Sequence, residues 1–235
     1  MPGKIFGTVM SHGEKGRMLT KNELQMLTEA RDMDELVTRM KNAVYLDALA
    51  KLTKPYTADK IENALKEYLV NTHAKMVNVS GGARILSAYF VKHITWNLKM
   101  ILKGKALGKS YDELLPKINL RAEELVGRRD LVVKALVSKT LDEAVSSLAG
   151  SEFAEDVTKA AAIFKDKGDV RIFDVYLDHV FYHDLGTAMN TESQSLEAKN
   201  IVSVDIDSYN VLAVLRGKFW NLPPEEINSL IVATT

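Results

Sequence analysis

Apolar residues recur along the chain at the three- and four-residue spacing that places them on one side of an α-helix. The clearest example is segment 59–69, where one side of the predicted helix carries Ile61, Ala64, Leu65, Tyr68 and Leu69. The chain has no Asn-Gly or Asp-Gly hairpin turn, and no proline lies between Pro116 and Pro223. This pattern predicts an all-α protein without a sheet, built from roughly seven to nine helices of about 10–20 residues each.

Several helix starts are marked by a hydroxyl residue that is followed three positions later by glutamate, the capping-box pattern. The pattern occurs at Thr20, Ser110 and Thr140. Thr57 is a further candidate cap for the helix of segment 59–69. The Pro223-Pro224 pair can open another helix, because proline fits the first helical turn.

Two segments of the chain repeat each other at an offset of 113 residues. Segment 97–105 reads Asn-Leu-Lys-Met-Ile-Leu-Lys-Gly-Lys, and segment 210–218 reads Asn-Val-Leu-Ala-Val-Leu-Arg-Gly-Lys. Each segment continues into a short connection and then an acidic helix start. We therefore predict two tandem helical-bundle repeats of about 110 residues, with boundaries at 1–120 and 121–235.

The repeated segments predict two structural roles. Asparagine is a poor helix former, so we expect the side chains of Asn97 and Asn210 to hydrogen-bond to a neighbouring segment. Glycine near the end of a helix favours a left-handed cap, so we expect Gly104 and Gly217 to end their helices.

Charge is balanced overall but divided unevenly along the chain. The 31 basic and 31 acidic residues give no net charge, which argues against a general nucleic-acid binder. Residues 1–120 hold 19 basic and 12 acidic side chains, and the second half holds the converse. Segment 68–111 contains no acidic residue. Its candidate partner surface consists of Lys92, Lys99, Lys103 and Lys109.

The lysines of this acid-free segment have two possible partners. Exposed lysines would attract an acidic protein or anionic lipid headgroups, with Trp96, Trp220 and Phe219 as candidate anchors if they are exposed. The alternative is an internal contact with the acidic second half of the chain. The carboxylates available there are Asp174, Asp178 and Asp184.

Little in the sequence predicts chemistry. The chain has no cysteine, which excludes disulfides and thiolate metal sites, and no apolar run approaches the roughly 20 residues of a membrane-spanning helix. His179 and His183 place two imidazoles on one helix face at a spacing that suits zinc or another divalent ion. Their apolar neighbours favour a packing role instead. We recognise no catalytic constellation and no cofactor motif, and predict that the chain is not an enzyme by itself.

Segments 209–218 and 222–231 resemble the C subunit of A/V-type rotary ATPases, whose eukaryotic counterpart is the vacuolar ATPase d subunit. The second segment reads Leu-Pro-Pro-Glu-Glu-Ile-Asn-Ser-Leu-Ile. In the second repeat, the residues that match the family pattern are Asp207, Asn210, Arg216, Gly217 and Lys218. In the first repeat, the matching residues are Asn97, Gly104 and Lys105. Ile94 and Lys103 stand where the family has Asp and Arg.

The resemblance implies a non-catalytic subunit that couples the central stalk to the membrane rotor ring of proteolipid subunits. Such a subunit acts during proton or sodium transport and ATP synthesis or hydrolysis. It would be peripheral, at the cytoplasmic face of the membrane and soluble when isolated, with no cofactor and no nucleic-acid partner. The family fold is a funnel of three similar helical units, whereas this chain carries two, so we expect the third to be absent.

Two alternatives stay open at this point. The chain could be a helical adaptor that kept the fold but acts outside the motor. It could also be a metal-dependent helical enzyme that uses His179 and His183.

Overall fold

The computed structural model describes residues 2–191 and 196–234, and every regular element within them is helical. This confirms the predicted all-α class. The described residues form fourteen α-helices and one 3-10 turn, more than the seven to nine helices expected. The difference arises because several of the helices have only four to seven residues, shorter than the helices expected. None of the helices in this part of the chain has the length and apolar character needed to cross a membrane.

The first compact unit ends at Ala83. Its helices are α1 (Pro2–Gly16), α2 (Lys21–Thr28), α3 (Met33–Asn42), α4 (Leu46–Leu49) and α5 (Ala58–Val79). The predicted caps form, since Thr20 accepts a hydrogen bond from the backbone of Glu23 and Thr57 accepts one from Lys60. The small core of this unit consists of Val37, Met40, Leu49 and Ile61.

The second compact unit begins at Arg84. Its first helices are α6 (Arg84–Ala106), α7 (Tyr111–Leu114), α8 (Arg121–Leu125), α9 (Arg129–Val137) and α10 (Leu141–Ser147), with a 3-10 turn over Leu115–Lys117. The remaining helices are α11 (Ala154–Lys167), α12 (Ile172–Thr191), α13 (Leu196–Phe219) and α14 (Pro224–Ser229). The capping box at Ser110 is complete, Thr140 caps α10, and α14 begins at Pro224 as predicted.

Helix α12 lies at the centre of the second unit, where it packs against α6, α11 and α13. Its buried residues are spread around most of the helix, which is typical of a helix that is surrounded by others. Phe173, Tyr176, Leu177 and Phe181 are fully buried and form the middle of the core.

The compact units divide the chain differently from the predicted repeats. The units separate between Ala83 and Arg84, whereas the repeats were placed on either side of residue 120. The reason is that α6 belongs to the first predicted repeat but packs most extensively on α12, which belongs to the second. The repeat boundaries therefore stay a prediction about sequence.

Candidate functional site

The two repeated segments fold into the same helix–turn–helix structure. Helix α6 ends in a turn where Gly108 has a φ of 70° and Lys109 donates its backbone N–H to the carbonyl of Gly104 at 2.9 Å. Helix α13 ends in the same way, with Asn221 at a φ of 53° and Leu222 bonded to the carbonyl of Gly217 at 2.9 Å. Each of these residues lies 113 positions after its counterpart, which supports the duplication that we predicted.

The two asparagines hold the segment that follows each turn. Asn97 Nδ2 donates to the carbonyl of Asn119 at 2.7 Å, and Asn210 Nδ2 donates to the carbonyl of Val232 at 2.9 Å. The backbone N–H of Val232 returns a bond to Asn210 Oδ1, also at 2.9 Å. In both cases the partner lies 22 residues further along the chain. The predicted hydrogen-bonding role of these asparagines is confirmed, and Asn97 is buried while Asn210 is half-buried.

The predicted glycine caps are wrong. Gly104 and Gly217 lie inside their helices, and the left-handed positions belong to Gly108 and Asn221 instead. The internal glycines serve close packing, because a Cβ atom at Gly104 would overlap Leu114 Cδ2 and one at Gly217 would lie 2.7 Å from Ile227 Cγ1. Each glycine therefore lets the helix after the turn approach the helix before it.

The remaining family-motif residues differ in burial. Lys105 is buried near the end of α6, whereas its counterpart Lys218 is exposed at the end of α13. Asp207 and Arg216 are also exposed on α13.

The lysines of the acid-free segment point largely into the chain itself. Lys99 forms an ion pair with Asp178, and Lys103 forms one with Asp174 at 2.7 Å. Lys92 lies over the ring of Phe181, 5.6 Å from its centre. The prediction of an external partner surface is wrong for Lys99 and Lys103, because the carboxylates of α12 pair with these two lysines within the molecule. Trp220 is buried and is therefore no external anchor, whereas Phe219 is exposed.

Lys109 is half-buried in the turn after α6. Its role as a partner contact stays a prediction.

The two histidines line a groove of about 660 Å³ between α6, α11 and α12. His179 Nδ1 lies 2.8 Å from Asp156 Oδ1, and the rings of His179 and His183 are 5.9 Å apart. Burial raises the pKa of Asp184 in the same groove. Within the described residues, no group of three or more His, Asp or Glu side chains is arranged to hold a metal ion.

A buried carboxyl group lies beside Asn97 and was not anticipated from the sequence. Glu123 is fully buried, and its Oε1 accepts a hydrogen bond from Asn97 Nδ2 at 2.7 Å. Its other oxygen, Oε2, has no partner among the described residues. Burial raises the pKa of Glu123 to about 7, and the Asn97 bond only partly opposes this shift. The local sequence does not reveal this buried site, because Glu123 and the exposed Glu124 are adjacent residues of the same type.

Tyrosine hydroxyls provide further contacts that the sequence did not reveal. Tyr89 on α6 donates to Asp205 of α13 at 2.8 Å, and Tyr176 on α12 donates to Glu226 of α14. Tyr209 donates to the carbonyl of Leu230 at 2.9 Å. These bonds fix α13 and α14 to the rest of the second unit.

Comparison with known proteins identifies relatives along nearly the whole chain. The chain is 30% identical over 221 residues to the C subunit of the A-type ATP synthase of Methanocaldococcus jannaschii, a match that covers 90% of this chain and 54% of that protein. The corresponding C subunit of Pyrococcus horikoshii is 26% identical over 225 residues, with coverage of 93% and 57%. That of Archaeoglobus fulgidus is 26% identical over 217 residues, with coverage of 91% and 60%.

The chain thus spans little more than half the length of the curated relatives it matches. No solved structure matches it. The ATP synthase (C/AC39) subunit family, however, matches residues 9–234. On this near-complete match, the chain belongs to the ATP synthase (C/AC39) subunit family.

Proposed function

We propose that this protein is a non-catalytic subunit of an A/V-type rotary ATPase that couples the central stalk to the membrane rotor ring. The observation that carries the proposal is the family match over residues 9–234, together with relatives named as C subunits of A-type ATP synthases. In this role the protein transmits rotation between ATP turnover and the transport of protons or sodium ions. It associates with the cytoplasmic face of the membrane through the ring.

The packing of the second unit suits a part that transmits torque. Each helix–turn–helix is closed by an internal glycine and an asparagine bridge, so the turns are held at both ends. Internal ion pairs such as Lys103–Asp174 add cross-links between α6 and α12. Well-packed helical interiors deform little and pass on strain, which a mechanical coupling element requires.

The proposal is tested by isolating the protein with its partners from its own cells. The full chain carries an affinity tag, membranes are dissolved in a mild detergent, and the recovered proteins are quantified by mass spectrometry. We expect stalk and proteolipid subunits in fixed ratio to the chain. An unrelated tagged helical protein of similar size provides the control for adventitious binding.

Recovery of the chain without any ATPase subunit, from intact and active motor membranes, contradicts the coupling role. That outcome favours the adaptor hypothesis, in which the fold is retained outside the motor.

A further inference from the structure

Two histidines on α12 line the groove between α6, α11 and α12 and take no part in the proposed function. His179 and His183 lie one helical turn apart, so both imidazoles project from the same side of the helix. Their ring centres are 5.9 Å apart. His179 is half-buried, whereas His183 is exposed. A small ion can therefore reach this pair of rings from solvent.

A carboxylate on α11 fixes the orientation of one of the two rings. Asp156 Oδ1 lies 2.8 Å from His179 Nδ1. Because a carboxylate only accepts hydrogen bonds, a neutral His179 carries its proton on Nδ1 and keeps a free lone pair on Nε2. Histidines that bind metal ions are usually held in this way, by a partner that fixes the tautomer and makes the free nitrogen more basic. The His179–Asp156 pair therefore has the arrangement of a metal ligand with its supporting residue.

The separation of the two rings suits one shared ion. Imidazoles that bind a single zinc ion at about 2.0–2.1 Å have ring centres about 5 Å apart. The observed separation is slightly larger, and a small rotation of the exposed His183 side chain closes the difference. Within the described residues no third His, Asp or Glu side chain is arranged to join the two histidines, so water completes the coordination of the ion.

The charge of the groove favours a cation. Its lining includes four carboxylates, which belong to Glu152, Glu155, Asp156 and Asp184. The lining also includes one guanidinium, that of Arg128, which forms an ion pair with Glu152. A cleft lined mainly by one sign of charge raises the local concentration of ions of the opposite sign. A divalent cation is therefore drawn to the groove that contains the two imidazoles.

We propose that His179 and His183 bind one divalent ion of the zinc, nickel and copper class, with His179 Nε2 and a ring nitrogen of His183 as ligands and Asp156 as a positioning residue. Imidazole suits these ions, whereas magnesium and calcium prefer oxygen ligands. Both ligands belong to the regular helix α12, so binding requires no ordering of the backbone. The proposal assigns no reaction to the site and does not depend on the role in the motor.

The test is isothermal titration calorimetry of the untagged full chain with zinc chloride. The protein is first stripped of metal with a chelator and dialysed, and the titration is carried out at neutral pH. We expect saturable binding of one ion per chain. An excess of magnesium chloride should leave the affinity for zinc within twofold, because magnesium does not compete for imidazole nitrogen.

Substitutions identify the ligands and the positioning residue. His179→Ala and His183→Ala should each weaken zinc binding at least tenfold, because each removes one of the two nitrogen ligands. Asp156→Asn should weaken binding about tenfold, which is the usual effect of losing the partner of a ligating histidine. His12→Ala is the matched control, because it removes an exposed imidazole on α1 and should leave the affinity within twofold.

A second measurement distinguishes positioning from a general structural role of Asp156. Long-range proton–nitrogen NMR spectra show which ring nitrogen of His179 carries the proton. We expect the proton on Nδ1 in the metal-free protein, a shift of the Nε2 signal when zinc is added, and a mixture of tautomers in Asp156→Asn, whose amide can donate as well as accept. Circular dichroism checks that each variant remains folded.

Four results overturn the proposal. The first is the absence of saturable binding up to about 1 mM zinc, a concentration that detects even weak association. The second is binding that His179→Ala and His183→Ala leave unchanged. The third is displacement of zinc by magnesium, which would assign the ion to the carboxylates of the groove. The fourth is a metal-free His179 that carries its proton on Nε2, since that tautomer has no lone pair to offer an ion in the groove.

Discussion

Replacing Glu123 by glutamine should change how the stability of the protein depends on pH. Burial raises the pKa of Glu123 from 4.5 in the reference state to about 7 in the folded protein. Below pH 4.5 the carboxyl group is largely neutral in both the folded and the unfolded state, so its ionisation does not lower the free energy of unfolding. As the pH rises from 4.5 to 7 the unfolded chain ionises while the folded protein holds its proton, so stability falls. At about 1.4 kcal/mol per pKa unit, the loss is about 3 kcal/mol above pH 7.

Glu123→Gln has the same shape and no charge, and its carbonyl can still accept the bond from Asn97. The variant should match the wild type near pH 4.5 and exceed it by about 3 kcal/mol near pH 8. Other titratable groups, such as the half-buried Asp184 whose pKa is also raised by burial, affect both proteins equally and cancel in the difference.

The assay is urea unfolding followed by circular dichroism, repeated from pH 4 to pH 9. Glu124→Gln provides the matched control, because it makes the same change one residue away on an exposed side chain and should follow the wild-type profile. Free energies of unfolding that run parallel for the wild type and Glu123→Gln across this range would refute the argument that burial holds the proton on Glu123.

Three further substitutions test the repeated helix–turn–helix. Asn210→Ala should lower the free energy of unfolding by about 1–3 kcal/mol, because Val232 loses both of its hydrogen bonds to Asn210. Asn200→Ala, on the exposed side of α13, is the control and should cost little. Equal losses for the two variants in urea unfolding would contradict the bridge. Gly217→Ala should cost about 1–3 kcal/mol through overlap with Ile227, and an unchanged melting temperature would show that the contact relaxes freely. Asn221→Val should destabilise more than Asn221→Gly, since only glycine accepts a φ of 53° without strain; the reverse order in thermal unfolding would exclude a left-handed cap.

The features that the sequence predicted well are the ones that depend on local chemistry. A hydroxyl three residues before a glutamate needs only one helical turn to form its bond, so the caps at Thr20 and Ser110 could be read directly. The asparagines were recognisable because a poor helix former in the middle of a helix needs a partner. Their partners could not be named in advance, since Asn119 and Val232 are brought close only by the turn.

The glycine assignments failed because one local pattern fits two structures. A glycine near a helix end satisfies the requirement for a left-handed cap and also the requirement for close packing. The choice between them depends on Leu114 and Ile227, which approach from the next helix. Glu123 was missed for the same kind of reason, because its burial is set by surrounding helices and not by its neighbours in sequence.

The separation of charge along the chain is best understood as part of this internal packing. The acid-free segment is basic where α6 meets α12, and α12 is acidic at the matching positions, so Lys99 and Lys103 are neutralised when the helices pack. Helix α13 keeps one of these positive charges as Arg216 and replaces the other with Leu212, although both are exposed. Among the described residues Arg216 forms no ion pair. At the two positions where α6 carries paired lysines, α13 therefore carries an exposed charge and an exposed apolar side chain, so the repeated sequence does not repeat the ion pairs that join α6 to α12.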